Sequence, residues 1–157
     1  MRTLLKYPKD NRDKLWADLE EDIRKRGPKK DRKFRLSGKW KRFVRVEDGL
    51  KVYAVDGEWV RNNLSVIFGH GGHGRVHEFI PNDEIWIATH HPKGCGCKKL
   101  RKDLKASKAY FDSCAHHEIV EYQLMNKGMI YWKAHNNALE AERRLGLLKD
   151  PNTGEEF

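Results

Sequence analysis

Metal-dependent hydrolysis is the chemistry suggested by one short run of residues, His116-His117-Glu118-Ile119-Val120-Glu121. On a helix, His117 and Glu121 lie four positions apart, so their side chains project from one face about one turn apart. Imidazole nitrogens and carboxylate oxygens are ligands of Zn²⁺, and a neighbouring glutamate can take a proton from a metal-bound water. The run therefore predicts two metal ligands, His117 and Glu121, and a catalytic base, Glu118.

A third ligand is expected from the segment that follows this run. If the chain reverses near residue 129 into an antiparallel helix, His135 lies within about one turn of Glu121, and Glu142 lies near the level of His117. We therefore predict His135 as the third ligand and Glu142 as the group that orients His135 or completes the coordination shell. Three small residues would let the two helices approach closely: Ala134, Ala138 and Ala141.

The His-Glu-x-x-Glu spacing is also compatible with two arrangements besides a single metal site. A solvated helix face with polar pairs four residues apart would show the same spacing. Carboxylate-rich helices can also hold two metal ions, but that architecture uses four helices and more glutamates than this chain offers. The matching heights of His135 and Glu142 favour one site for Zn²⁺ or another divalent metal.

A glycine-rich segment, Gly71-Gly72-His73-Gly74, lies between two predicted strands. Glycines permit close approach of the backbone, so this segment could line the cleft and turn His73 towards the metal. A tight bend with an incidental histidine is the alternative. A phosphate cradle is excluded, because the segment lacks the GxxxxGK[ST] pattern and no helix is predicted after it.

The three cysteines suggest a second metal site. Their odd number, in a chain whose start has no apolar leader segment, favours free or metal-bound thiols in a reducing cytoplasm over a disulfide framework. Thiolates and imidazoles suit a tetrahedral structural zinc site, and the candidates are Cys95, Cys97, Cys114 and one of His90, His91 and His116. In that case His116 would serve this site and His117 the other. A buried Cys114 and two incidental loop thiols are the alternative.

Positive charge is concentrated near the N-terminus. Residues 1–48 hold 17 Lys and Arg against 9 Asp and Glu, whereas residues 49–157 hold 15 against 14. Basic side chains interleaved with aromatic rings can follow a nucleic-acid backbone and stack on bases, and the candidates here are Lys29, Lys30, Arg32, Lys33, Arg35, Lys39, Trp40, Lys41 and Arg42. The alternative function is therefore a non-enzymatic nucleic-acid-binding module with a structural metal. Basic runs are also common on solvated surfaces.

The elements that must position these residues can be predicted from hydrophobic patterning. We expect an N-terminal helix and basic arm over residues 1–42, an α+β domain that binds metal over 43–150, and a frayed tail over 151–157. Alternation predicts a mainly antiparallel sheet between Phe43 and Ala88, with a hairpin turn at Asp56-Gly57 between segments 52–55 and 58–61, and further strands over 65–68, 76–80 and 84–88. Spacings of three and four residues predict a helix pair over 104–127 and 129–145, ended by Gly128 and Gly146. No apolar run approaches the roughly 20 residues that cross a membrane.

Several motifs follow one another between residues 52 and 145: Val55-Asp56-Gly57, Val60-Arg61, Phe68, Gly71-Gly72-His73, Phe79-Ile80-Pro81, Glu84-Ile85-Trp86-Ile87, His117-Glu118, Glu121, Met125, Gly128, Tyr131, Ala134-His135, Ala138 and Glu142. In this order they resemble a family of small bacterial and phage proteins with the pattern of minimal zincin-type metallopeptidases. The resemblance implies a metal site with His117, Glu121 and His135 as ligands and Glu118 as base. It does not define the substrate, for which a peptide or protein is a candidate. Better-known zincins carry histidine where this chain has Glu121.

Overall fold

The computed structural model describes Glu21 and residues 40–77, 79–98 and 100–157. Within these ranges the chain forms one four-stranded sheet and three helices, which is an α+β fold. The strands are β1 (Lys41–Glu47), β2 (Leu50–Val55), β3 (Gly71–His73) and β4 (Glu84–Ala88), and the helices are α1 (Gly57–Asn63), α2 (Lys108–Asn126) and α3 (Tyr131–Leu145). The predicted N-terminal helix and most of the basic arm lie outside the described residues.

The sheet has the strand order β1-β2-β4-β3. β1 and β2 are antiparallel and form a hairpin through Asp48 and Gly49, which have φ angles of 51° and 78°. These left-handed conformations are the ones that a tight hairpin turn requires. β3 is antiparallel to β4, whereas β2 and β4 run parallel. The prediction of a mainly antiparallel sheet is confirmed.

The predicted hairpin at Asp56-Gly57 is wrong. The side chain of Asp56 accepts a hydrogen bond from the backbone N–H of Trp59, 3.0 Å away, and so begins α1. α1 and the turns after it carry the chain past the position of β4 to β3, and β4 then returns antiparallel to β3 and parallel to β2. The described residues of segments 65–68 and 76–80 are not strands either. They form turns that bury Phe68, Phe79 and Ile80 and leave Val66, Ile67 and Val76 exposed. The strand that pairs antiparallel with β4 is instead the glycine-rich β3.

Both faces of the sheet are covered, and β4 shows this by its alternation. Ile85 and Ile87 pack against α2, whereas Trp86 and Ala88 pack on the opposite face with residues of α1 and Trp40. All four of these β4 side chains are buried. The site-bearing helix α2 therefore rests on a fixed apolar surface.

The helix pair forms where the sequence predicts it. Ser107 precedes α2 and its hydroxyl accepts a hydrogen bond from the backbone N–H of Tyr110. Gly128 and Gly146 follow α2 and α3 with φ angles of 99° and 74°, as expected of glycines that end helices. α3 packs on α2 through its small residues, and Ala134, Ala138 and Ala141 are all buried.

The end of the chain is folded where we expect a frayed tail. Asp150 and Glu155 pair across a turn, and the backbone N–H of Lys98 donates to the carbonyl of Thr153 at 3.0 Å. Leu148 is buried. Residues 151–155 therefore belong to a hydrogen-bonded turn, which corrects the expectation of a frayed tail. Over the described part of the chain, no helix has the length and apolar character that spanning a membrane requires.

Candidate metal centre

The helix pair brings three predicted ligands into one triangle. His117 Nε2 lies 3.1 Å from Glu121 Oε2, His135 Nδ1 lies 3.0 Å from the same oxygen, and the two nitrogens are 3.1 Å apart. Ligand atoms around a tetrahedral cation with bonds of about 2.0–2.2 Å lie about 3.3–3.6 Å from one another, slightly farther apart than these three atoms. The three residues, which we name the helix-pair centre, could therefore hold a metal ion.

Hydrogen bonds behind the triangle fix the orientation of His117. Its Nδ1–H donates to Glu142 Oε2 at 2.7 Å, and the other oxygen of Glu142 accepts from the hydroxyl of Ser113 at 2.6 Å. This leaves Nε2 of His117 facing the triangle, which is the arrangement found for metal-ligating histidines. Glu142 lies at the predicted height but orients His117, not His135, and that part of the prediction is corrected.

Glu121 is oriented from its other side by His73. His73 Nδ1 accepts a hydrogen bond from the backbone N–H of Arg75, so its Nε2 carries the proton and donates to Glu121 Oε1 at 2.8 Å. Burial lowers the pKa of His73 despite its contact with Glu121, and the ring is therefore neutral. Thus His73 faces the site and leaves Glu121 Oε2 free for the triangle.

The electrostatics of the centre favour a cation. Burial alone would raise the pKa of Glu121, but hydrogen bonds with His117 and His73 hold it at about 2. Burial alone would lower the pKa of His117, but hydrogen bonds with Glu121 and Glu142 raise it to about 10. Two buried carboxylates thus share one imidazolium, and buried charge is stabilised by a close opposite charge. A divalent cation supplies more positive charge than the proton on His117.

Glu118 lies close to the triangle, and one of its carboxyl oxygens has no hydrogen-bond partner among the described residues. This oxygen, Oε2, is shielded from solvent. Burial is the main reason that the pKa of Glu118 is raised to about 8, and the negative charges of Glu121 and Glu142 add to it. In its ionised form, which a nearby cation favours, such a carboxyl group can accept a proton from a water placed between it and a metal.

A second combination of residues overlaps the helix-pair centre. A nitrogen of His73 and carboxylate oxygens of Glu118 and Glu121 also lie within 4.8 Å of one another. For His73 to bind a metal through Nε2, its proton would have to move to Nδ1, and the hydrogen bond from the Arg75 backbone would be lost. The existing bonds therefore favour the helix-pair centre.

The centre opens into a cleft of about 570 Å³ between α2, α3 and β3. Its lining includes His117, Glu118, Glu121 and His135, and three exposed apolar residues at its edge are Ile67, Val76 and Tyr131. β3 approaches α2 closely here, since a Cβ on Gly71 would lie 3.2 Å from Cγ of Glu118. Glycine at this position is what allows the strand to form one wall of the cleft.

The predicted cysteine site is only partly reproduced. Cys95 and Cys97 lie together, but their neighbours are His70 and His91, and we name these four residues the Cys–His cluster. Cys114 belongs to α2 and packs against the core. Neither Cys114 nor His116 belongs to any metal-compatible group within the described ranges. The ligand set with Cys114 and His116 is corrected for this reason.

The last residues of the basic arm are described, and two of them are committed to the fold. Trp40 is buried, with its ring stacked 4.3 Å from that of Trp59. The ammonium of Lys41 lies 2.5 Å from Glu84 and also contacts the ring of Tyr53. These contacts correct their assignment to polyanion binding. Arg42 is exposed, and a polyanion role for it and for the other predicted arm residues stays a prediction.

Sequence reasoning missed two contributors, His70 and Ser113. His70 stands next to the glycine-rich segment and could have been a candidate because all eight histidines fall between residues 70 and 135. Ser113 is four residues before His117, so it lies on the same face of α2.

Comparisons of the chain with protein-family models, with curated proteins and with solved structures give no match.

Proposed function

We propose that this protein is a zinc-dependent hydrolase that resembles a minimal zincin-type metallopeptidase. One observation carries the proposal: three ligand atoms form a triangle with edges of 3.0–3.1 Å, and Glu118, whose Oε2 has no hydrogen-bond partner among the described residues, lines the same cleft. Three protein ligands leave a fourth tetrahedral position for water or substrate, which is the mark of a catalytic zinc site.

The residues divide the work of hydrolysis among themselves. Zinc held by His117, Glu121 and His135 would supply Lewis-acid chemistry to a water molecule and to the substrate carbonyl. Glu118 would take a proton from the attacking water as the oxygen of that water adds to the carbonyl carbon. Glu118 then gives the proton to the amine nitrogen as the carbon–nitrogen bond breaks. His73 and Glu142 hold Glu121 and His117 in place throughout.

The cleft supports a peptide as the substrate class. Gly71 and Gly72 of β3 line it, and so do Ile67, Val76 and Tyr131, whose apolar side chains are exposed. An extended peptide presents alternating side chains that could contact these exposed groups, while its carbonyl groups reach the metal. The ring of Tyr131 is itself held against His135, with centroids 5.5 Å apart.

The test uses the zinc-loaded full chain and a library of internally quenched peptides of mixed sequence. We expect cleavage that a chelator abolishes and added zinc restores, and we expect acetohydroxamate to inhibit because it occupies the open position. Mass spectrometry of the products identifies the bond that is cleaved.

Two results would contradict the proposal. A zinc-loaded chain that does not bind acetohydroxamate has no accessible coordination position, so its site is structural. A chain that binds acetohydroxamate but cleaves no peptide of the library is not a peptidase, and the metal then serves another purpose.

A further inference from the structure

The Cys–His cluster shares no residue with the helix-pair centre, although His70 and Cys97 line the same cleft. The cluster forms where three separate segments of the chain meet. His70 comes directly before β3, His91 follows β4, and Cys95 and Cys97 belong to the next turn of the loop. Their ligand atoms all lie within 4.8 Å of one another. His70 Nε2 is 3.2 Å from His91 Nδ1 and 3.2 Å from the sulfur of Cys95.

These spacings fit four ligands around one small cation. With zinc bonds of about 2.05 Å to nitrogen and 2.3 Å to sulfur, tetrahedral geometry separates two nitrogens by about 3.4 Å and a nitrogen from a sulfur by about 3.6 Å. The sulfur of Cys95 is 3.8 Å from His91 Nδ1, and that of Cys97 is 3.7 Å from His70 Nε2. The observed separations scatter around the expected ones.

Neighbouring groups are suited to support thiolate ligands here. The backbone N–H of Cys97 donates to the sulfur of Cys95 at 3.3 Å, and the hydroxyl of Tyr110 lies 3.4 Å from the sulfur of Cys97. Donors around a metal-bound sulfur stabilise its charge. The tight Cys95-Gly96-Cys97 spacing also disfavours a disulfide between the two, because the ring would be very small.

The loop that carries the cluster lacks the apolar anchors that hold other parts of the chain. It covers residues 89–107, and His91 is the single buried residue among those described in it. Connections of this length without an apolar core of their own are uncommon in small domains. A metal ion that ties the loop to His70 supplies the missing constraint, because binding energy at such a site is folding energy.

We propose that the Cys–His cluster binds a second zinc ion, with His70, His91, Cys95 and Cys97 as its four ligands and with a structural role. Two thiolates and two imidazoles in tetrahedral array are the donor set typical of zinc, and four protein ligands leave no position for substrate. The ion ties the loop to the start of β3 and to the beginning of α2, where Tyr110 lies.

The site also positions one wall of the catalytic cleft. β3 begins one residue after His70, and the carbonyl of His70 accepts a hydrogen bond from the backbone of Ala88 in β4. At the other end of β3, His73 contacts Glu121. Zinc at the Cys–His cluster therefore fixes the strand that orients a ligand of the helix-pair centre, although the two ions share no ligand.

X-ray absorption at the zinc edge tests the proposal on the full wild-type chain saturated with zinc. We expect a sulfur shell at about 2.3 Å, with one sulfur per zinc on average because the helix-pair centre has none. A spectrum with nitrogen and oxygen neighbours alone would overturn the proposal, and this measurement needs no variant to fold.

Cobalt substitution assigns the sulfurs to residues. The C95S/C97S variant should lose the thiolate-to-cobalt charge-transfer band and one of two bound metal equivalents, whereas the matched variant Cys114→Ser should keep both. Loss of the band in Cys114→Ser but not in C95S/C97S would overturn the ligand set. A metal equivalent that remains bound in C95S/C97S belongs to the helix-pair centre. A result that overturns the zinc site at the Cys–His cluster therefore leaves the proposed hydrolase to be tested separately.

Discussion

The helix-pair centre and the Cys–His cluster are built from similar residues on opposite kinds of scaffold. The first stands on two long helices packed together over the sheet, and hydrogen bonds from Ser113 and His73 hold its carboxylates. The second stands on loop segments with almost no buried side chains. The first offers three nitrogen and oxygen ligands beside a cleft, and the second offers four ligands with two sulfurs.

We therefore expect a metal ion to contribute differently to the two sites. Where the fold already fixes the ligands, a metal ion adds little to stability and is available for chemistry. At the Cys–His cluster, the proposed metal would supply the stability that the loop lacks, and the four protein ligands would complete its coordination. We therefore expect a chelator that reaches only the helix-pair centre to leave the fold largely intact, and metal loss from the Cys–His cluster to lower the melting temperature.

The largest expected effect concerns turnover at the helix-pair centre. Glu118→Gln keeps the size of the side chain but removes the carboxylate that accepts the proton. Peptide hydrolysis should fall by roughly 10²–10⁴-fold, the usual contribution of a positioned general base, with two zinc ions still bound. The control is Glu140→Gln, because Glu140 is exposed on α3 and pairs with Arg143. Equal activity in the two variants would remove Glu118 from the mechanism.

A smaller effect is expected from the support of His117. Ser113→Ala removes the hydroxyl that donates to Glu142 and leaves a buried carboxylate oxygen without that partner. Zinc affinity at the helix-pair centre should fall by about 10–100-fold, as is usual for groups that orient metal ligands. Competition with a chromophoric chelator measures this zinc affinity. Zinc at the Cys–His cluster serves as the internal control, and a loss shared by both sites would mean a general effect on folding.

The strand between the two sites can be displaced by one methyl group. In Gly71→Ala, the new Cβ would lie 2.9 Å from Cδ1 of Ile87 and 3.1 Å from the carbonyl oxygen of Trp86. The free energy of unfolding should fall by at least about 1 kcal/mol, and turnover should fall while zinc content stays the same. The matched control is Gly69→Ala, because nothing lies within 4 Å of a Cβ there. Denaturant unfolding of both variants measures the difference, and equal stabilities would mean that β3 does not pack closely against β4 and α2.

A dependence of zinc binding on pH is also expected at the helix-pair centre. The pKa of His117 is raised to about 10, so at neutral pH zinc must displace a proton from the helix-pair centre. Because fewer protons compete as the pH rises, zinc affinity at this centre should increase by about tenfold per unit between pH 6 and 8. Calorimetry in two buffers of different ionisation enthalpy measures the released proton. An affinity that does not change with pH would contradict the protonated His117.

Helical regularity explains why the helix-pair centre could be predicted from sequence. The spacing of His117 and Glu121 and the turn near residue 129 determine the relative heights of His135 and Glu142 once both segments are helices. What could not be derived is which ring Glu142 contacts, because that depends on side-chain rotamers. The α+β class follows from periodicity, and the β1–β2 turn lies at Asp48-Gly49, a pair that is typical of hairpin turns.

The wrong predictions have two causes: a local motif that suits two kinds of structure, and contacts between segments that are distant in sequence. Asp-Gly favours a hairpin turn, but an aspartate is also a good first residue for a helix, and Asp56 takes that role. The Cys–His cluster depends on contacts between segments 21 or more residues apart, from His70 to His91 and Cys95, which no local pattern encodes. Cys114 is the wrong partner because it faces the core from α2.

Anomalous diffraction at the zinc edge, from crystals grown with zinc, would locate the metal at the helix-pair centre. We expect a peak about 2.0–2.2 Å from His117 Nε2, Glu121 Oε2 and His135 Nδ1, with the Glu118 carboxylate outside bonding distance. A peak bounded instead by His73, Glu118 and Glu121, the overlapping group, would make Glu118 a ligand and contradict its role as the base. A map without a peak between α2 and α3 would contradict the metal centre itself.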